Sequence, residues 1–415
     1  MRFVVAGGGI AGLAAALAVA RAGHTAVVLE RDVVGSDESP DSAFAIERRG
    51  IPHYLQPHSF LPRGRCLLAD WAPDVLEILL EAGADPQDIA LKLRGPPQPG
   101  DEDLVYLWVR RPVIEWALRR AAAAEPPVEI RAGVHVRGML TSENGAPRAL
   151  GVAVDDGDPV RGDVVVDALG RYRCPPGWPR AAGTSTDSGA IYYCRYFKLA
   201  DGVEHLDAPI LNPRGDLGYM GFNVFRGDNR TFAVILLAPA VDRELRVLRH
   251  EPAWCAACSA ITPLDAMTSS DYGRPLTGVM PMGGLMNVDR TGDPGVSGVL
   301  AVGDALCHTD PAFAYGLSFA LAHAQALARA AAEAPDVDAI AAAPHDDLVL
   351  RRTIRRIGLL DRTAVFDTDP ALHDRIEAIL RRLTTEAPSP PGVPRAELLE
   401  RLATVALPRP ADARA

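Results

Sequence analysis

No charged residue falls between Phe3 and Ala20, and after Arg21 and a Gly-His turn a second apolar stretch ends at Glu30. This pattern predicts a buried strand at Phe3–Ala6, a glycine turn, a helix, and a second strand closing at Glu30. Helical apolar spacing recurs over Gly64–Leu80, at Leu67, Leu68, Trp71, Val75, Leu76 and Leu79, with an interruption near Pro73. Another helix is predicted from about Pro112 to Ala124, since proline suits a first helical turn. Val128–Met139 and Arg148–Val154 read as strands joined through Asn144-Gly145, a hairpin signal. Asp163–Ala168 reads as a buried strand. Ile191–Leu199, Leu217–Val224 and Thr231–Leu237 alternate apolar and polar residues, which predicts an antiparallel sheet with a turn at Gly227-Asp228-Asn229. Val296–Val302 is a further apolar strand and Leu317–Ala332 a long apolar helix. The polar run Val33–Phe44 reads as a surface or ligand-lining connection, and the tail with Pro388, Pro390, Pro391 and Pro394 as loose at its end.

Gly7, Gly9 and Gly12 fill the spacing G-x-G-x-x-G directly after the first strand, with Ala11 between the last two and Glu30, followed by Arg31, ending the second. Each glycine has a mechanical reason: the first permits the tight turn, the second lets backbone approach phosphate, and the third packs the helix on the sheet. Unpaired N–H groups at the helix start then face an anion, and Glu30 stands at the spacing of a ribose contact. The uncharged run also fits a signal peptide or membrane anchor. Three consecutive glycines and the apolar strand beyond Arg21 argue against that, so a cytoplasmic chain without a transmembrane span is expected.

At 415 residues the chain exceeds the size at which one core stops growing, about 250–300 residues, so two joined domains are expected. A net charge of -10 without a basic stripe argues against nucleic-acid binding. The six cysteines are scattered and read as reduced thiols. Trp254-Cys255-Ala256-Ala257-Cys258 mimics a redox motif, but it lies in an alanine-rich helical stretch, and no second pair completes a zinc site, so no metal is expected. There is no second G-x-G-x-x-G, hence no separate NAD(P)H domain, and no C-x-x-x-x-C after the first helix.

A second signature lies at Gly298–Gln325: a strand ending in Gly303-Asp304, a loop with Pro311 and Gly316, then the long helix. With the glycine turn, it resembles FAD-dependent monooxygenases of the para-hydroxybenzoate hydroxylase type, relatives of the flavin halogenases and geranylgeranyl reductases. The resemblance covers roughly residues 1 to 335. It implies that Asp304 binds the FAD ribityl chain and that the turn at Pro311 and Gly316 lies beside the isoalloxazine ring, where a helix N-terminus stabilises a reduced, anionic flavin. It further implies that Arg111, in Arg110-Arg111-Pro112, contacts FAD, that Arg48 is the arginine of the loop over the flavin with Arg49 as its rival, and that Val136 meets adenine. Two departures stand out: Ala314 replaces a family glycine, and Leu169 replaces the serine of D-A-S-G-R in the segment Val164–Arg173.

The implied fold is α/β, a Rossmann-like FAD-binding domain with an inserted, mostly antiparallel β-sheet and C-terminal helices. Its expected parts are residues 1–170 for the first part of the FAD domain, 171–290 for the substrate domain, 291–335 for the second FAD part and 336–415 for a helical region. The implied chemistry is oxygen activation by reduced FAD and transfer of one oxygen atom to an apolar or aromatic small molecule, in secondary metabolism, with NADH or NADPH as electron source directly or through a flavin reductase. The protein's own share is to bind and tune the cofactor, exclude water and aim the substrate. Acid–base candidates are His58, His308 and Tyr315. The substrate pocket is expected against the inserted sheet, among Tyr192, Tyr193, Tyr196, Phe197, Tyr219, Met220 and Phe222, with alternation sending about half inward. Met280, Met282 and Met286 offer an adaptable wall. The absence of W-x-W and the presence of only two lysines, Lys92 and Lys198, argue against a halogenase. A flavin-dependent reductase or desaturase, and a non-catalytic flavin-binding partner, stay open.

Overall fold

Burial alternates along the first strand, Arg2–Ala6. Phe3 and Val5 pack against a helical layer while Val4 and Ala6 pack on the opposite side, and all four are fully buried. A strand apolar on both faces belongs inside a parallel sheet. It pairs in parallel with Thr25–Glu30 on one side and Val164–Asp167 on the other, and Val299–Ala301 and Val128–Ala132 complete a five-stranded sheet. The computed structural model describes residues 1–35, 39–92, 101–143, 145–171, 174–206, 213–311, 314–333 and 392–405.

One face of the parallel sheet is covered by the helices Ile10–Arg21, Pro62–Trp71, Pro73–Glu81, Arg111–Ala124 and Gly316–Glu333. The other face carries a three-stranded antiparallel sheet of Val136–Thr141, Ala149–Val154 and Val160–Arg161. The expected strand Val128–Met139 is therefore two. Its first part ends the parallel sheet at Ala132, Gly133 turns the chain at φ 75°, and its second part starts the small sheet. The apolar alternation continues across that corner, which is why the sequence conceals it. Asn144 of the expected hairpin turn lies outside the described residues.

The inserted sheet is antiparallel, in the order Arg214–Asp216, Gly221–Arg226, Thr231–Pro239, Ala190–Leu199 and Gly273–Pro275, with Met280–Met282 also pairing to Ala190–Leu199. The expected strand Leu217–Val224 begins later, at Gly221, because Leu217 N donates to Met220 O and closes a turn. One face packs on the helix Glu251–Cys258, where Trp254 Nε1 donates to the Tyr193 carbonyl and burial pushes the Cys258 thiol far up, while Cys255 is exposed. The polar connection Val33–Phe44 contains a short helix, Pro40–Ala45, capped by Ser39.

Arg110, capping the Arg111–Ala124 helix, ties the two sheets together. Its backbone N–H and its guanidinium Nε and Nη2 all donate to Asp228, at 2.8, 3.0 and 2.6 Å, inside the turn Gly227-Asp228-Asn229. Of the expected helical region 336–415, only 392–405 is described, and it holds the helix Arg395–Ala403; Pro388, Pro390 and Pro391 lie outside the described residues. Among the described residues no helix is long and apolar enough to cross a membrane.

Candidate active site

A cavity of about 540 Å³ opens at the carboxyl ends of four parallel strands, where the chain leaves the sheet at Gly7, Glu30, Ala168 and Val302. Open α/β sheets place their ligands in this crevice. Of the residues singled out from sequence, Gly7, Gly9, Ala11, Glu30, Arg31, Arg48, Arg111, Val136, Asp304, Pro311 and Gly316 line it, as do His58, His308 and Tyr315. Gly12 does not, because it packs inside.

The glycines divide by what fills the space beside them. A Cβ on Gly12 would stand 1.9 Å from the Gly7 carbonyl oxygen, and one on Gly7, at φ 110°, would stand 2.3 Å from the Ala168 oxygen, so internal packing demands both. Gly9 is different. Its nearest neighbours to an added Cβ are Ile51 Cδ1 at 3.6 Å and Glu115 Oε2 at 3.9 Å, and its backbone is ordinary, with φ at -80°. No protein atom requires a glycine there, and the residue faces the cavity.

Around this turn the charged groups form a dry cage. Arg48 donates to Asp32 at 3.0 Å, to Glu30 at 2.8 Å and to Glu115, and its side chain is 1% exposed. Burial opposes its charge, but the three carboxylates outweigh burial and raise its pKa. Glu30 also accepts from the Gly8 N–H at 2.9 Å and the Asp32 N–H at 2.8 Å. Arg111 Nη1 lies 3.1 Å from Glu115 Oε2, an ion pair without an aligned hydrogen bond, so a buried donor on the cavity wall is left without a hydrogen-bond partner. Arg49, by contrast, is exposed and pairs with Glu47.

At the far end stand Asp304, His308 and Tyr315 with the loop Gly50–Ser59. Arg171 Nε is 3.8 Å from Asp304, and its Nη2 donates to His53 Nδ1 at 2.8 Å. His58 Nδ1 donates to the Gln56 carbonyl at 2.8 Å. Burial pushes the His58 imidazole down to about 3 and that of His308 down to about 4, with Asp304 opposing the latter, and burial together with Arg171 holds His53 well below the usual range. All three rings are neutral near pH 7. His308 Nδ1 is buried without a hydrogen-bond partner.

A family model for the FAD binding domain matches residues 2–45. No curated protein matches the sequence. The structure of the flavin-dependent brominase Bmp2 is 18% identical with a TM-score of 0.64, over 92% of this chain and 93% of that one. The structure of P. aeruginosa PqsL in complex with 2-aminobenzoylacetate is 15% identical with a TM-score of 0.60, over 88% and 98%. That of the myxobacterial chondrochloren halogenase CndH, an FAD-dependent halogenase, is 18% identical with a TM-score of 0.61, over 97% and 95%. This is the fold of the FAD-dependent monooxygenases and halogenases.

The residues present fit FAD. Gly9 gives bare backbone at the start of the Ile10–Arg21 helix, where a pyrophosphate can approach free N–H groups. The Arg111 Nη1 donor, which makes no hydrogen bond, is on the wall of the same cavity. Arg48, which the resemblance sets in the loop over the flavin, is held here among the carboxylates of Glu30, Asp32 and Glu115 on the wall of the same cavity.

The aromatic wall differs from expectation. Tyr193, Phe197, Met220 and Phe222 belong to the core against the helices, and Tyr219 donates to the Val393 carbonyl. Tyr192 and Tyr196 lie on the opposite face, where Tyr192 donates to Asp310 at 2.7 Å. None of the seven lines the cavity; Phe225 and Met282 do so from the inserted sheet, whereas Met280 and Met286 do not. The difference is one of strand ends: the predicted strand stops at Val224, whereas the observed one runs on to Arg226 and includes Phe225. His53, Gln56 and Arg171 were also missed as site residues. A signal existed for the first, since Pro52-His53 recurs five positions later as Pro57-His58.

Proposed function

We propose that this chain is an FAD-dependent monooxygenase that inserts one oxygen atom, by hydroxylation or epoxidation, into an apolar or aromatic small molecule. The reading is carried by the far end of the cavity, where neutral His58 and His308 with Tyr315 share one space with Asp304 and the start of the Gly316–Glu333 helix. FAD, once bound and reduced, supplies the electrons that activate molecular oxygen. The chain's own residues do the rest. Gly9, Arg111 and the Ile10–Arg21 helix start bind the phosphates, Glu30 the ribose, Val136 the adenine side, and Asp304 with Pro311 and Gly316 the flavin end. Phe225, Met282 and Ile51 exclude water from the reacting region, and His58, His308 and Tyr315 handle the proton of a phenol or N–H substrate.

Among the described residues no lysine lines the cavity, and Lys198 instead donates to the Asn229 carbonyl at the end of its strand. That favours oxygen transfer to carbon over halogenation. NADH or NADPH is the electron source, directly or through a separate reductase.

The test supplies purified chain with FAD, reduces it chemically or with NADH or NADPH, and admits isotopically labelled oxygen with a panel of aromatic and polyene compounds. Label in one product, with no halogenated species when chloride or bromide is added, is the expected result. Turnover without oxygen would identify a reductase or desaturase, and chemically inert flavin a binding partner.

A further inference from the structure

The loop Gly50–Ser59 brings His53 and His58 to a ring-centroid distance of 5.9 Å, and the partners of the two rings differ in kind. A guanidinium only donates, so the His53 Nδ1 that faces Arg171 Nη2 at 2.8 Å is bare, and in the neutral ring the proton sits on Nε2. A carbonyl only accepts, so the His58 Nδ1 that faces Gln56 O carries the proton, and its Nε2 is bare. The two imidazoles are locked in opposite tautomers. Neither Nε2 has a hydrogen-bond partner among the described residues, and both histidines line the cavity. Gln56 Nε2 donates to the Met280 carbonyl at 3.2 Å, fastening this loop to the inserted sheet, while Arg171 fastens it to Asp304. The pair therefore lies between the Gly303-Asp304 segment and the sheet that contributes Phe225 and Met282.

We propose that His53 and His58 act as a donor–acceptor pair that selects arenes bearing a carbonyl acceptor and an O–H or N–H donor on one ring system. His53 Nε2–H holds the acceptor, His58 Nε2 receives the donor, and Arg171 is a positioning residue that fixes the His53 tautomer. A substrate with only one of the two groups leaves the other imidazole nitrogen buried and unpaired, which weakens binding on the order of tenfold. The proposal rests on the reading that an organic substrate enters this cavity, and it names the class.

The experiment titrates the oxidised, FAD-loaded full chain with 2-hydroxyacetophenone, 3-hydroxyacetophenone, acetophenone and phenol, following flavin absorbance and binding heat. At least one hydroxyacetophenone is expected to bind about tenfold more tightly than acetophenone or phenol. His53→Phe should lower that affinity to the phenol level and leave phenol unchanged; His58→Phe should lower it to the acetophenone level and leave acetophenone unchanged. His53→Gln, which keeps an N–H donor, should restore most of the loss. FAD affinity should stay within about threefold of the parent in every variant. Equal or absent binding of all four probes overturns the proposal, as does uniform weakening of all probes by either phenylalanine variant. Loss of FAD affinity with the histidines also overturns it and assigns the pair to the cofactor. If instead the oxygen-transfer reading is wrong, the chain still discriminates the probes yet incorporates no labelled oxygen.

Discussion

Gly303 lies against Ala11: a Cβ built on Gly303 would stand 2.5 Å from the Ala11 Cβ, although the two residues are 292 positions apart. The glycine turn and the Gly303-Asp304 segment thus close on each other directly, with Gly303 at φ 57° and its N–H donating to His323 Nδ1 at 2.9 Å. Gly303→Ala is expected to cost about 2–3 kcal/mol, from a side chain in the left-handed region plus overpacking. Ala11→Gly alone should cost about 1 kcal/mol as a helical glycine, yet in the Gly303→Ala background it should recover at least about 1 kcal/mol by removing the clash. Denaturant unfolding of the four chains measures the coupling, and simple additivity would show that the contact is not what limits position 303.

Gly9 and Gly12 belong to one motif but answer to different forces. Gly12→Ala drives a Cβ into the Gly7 carbonyl at 1.9 Å and should give unfolded or insoluble protein whether or not FAD is supplied. Gly9→Ala meets only ordinary contacts, with Ile51 Cδ1 at 3.6 Å and Glu115 Oε2 at 3.9 Å, and should leave the melting temperature of the cofactor-free chain within a few degrees, roughly ±0.5 kcal/mol. Its FAD affinity should fall by on the order of tenfold or more, because the methyl occupies the approach of the phosphates. Melting curves without FAD, set beside fluorescence titrations with it, separate the two effects.

What the sequence disclosed was local. The first strand, its glycine turn and the helix beyond it are legible because each needs only its neighbours, and the same holds for the helix after Arg110 and the one after Tyr315. The corner at Gly133 was hidden because apolar alternation runs on through it into a different sheet. The Arg48 cage was not legible either, since Glu30 and Glu115 come from a strand end and a helix 85 positions apart and only the folded sheet brings them to one guanidinium. The tautomer of His53 depends on Arg171, 118 positions away, and no window along the chain contains both.

Ala314 keeps a glycine conformation with an alanine side chain. Its φ is 55°, at the position where the related turn carries glycine, and it lines the cavity just before the Gly316–Glu333 helix. The left-handed region costs a non-glycine residue about 1–2 kcal/mol, while glycine gives back about 0.4–1 kcal/mol through the freer unfolded chain. Ala314→Gly should therefore match or exceed the parent's stability by up to about 1 kcal/mol. Ala314→Val, β-branched and poorly tolerated at positive φ, should lose about 2 kcal/mol or more. Thermal unfolding of the three proteins checks the order, and a valine variant as stable as the parent would mean that this backbone is not held left-handed.

The neutral histidines set a pH dependence whose sign follows from their surroundings. His308 is 4% exposed, and burial lowers its pKa from the ordinary 6.5 to about 4. Between those values the unfolded chain binds a proton that the folded chain refuses, so stability is complete above about pH 6.5 and is lost as pH falls toward 4, with a slope of at most about 1.4 kcal/mol per pH unit for one ring. His58, lowered to about 3, acts in the same direction and extends the loss further into acid. The melting temperature of the cofactor-free chain should change little from pH 8 to 7 and fall progressively from 6.5 to 5. His308→Gln removes one of the refused protons, so its decline over that interval should be shallower than the parent's by about one proton equivalent. Parallel curves for the parent and the variant would mean that His308 is charged in the folded protein, and the neutral cavity end on which the site chemistry depends would have to be redrawn.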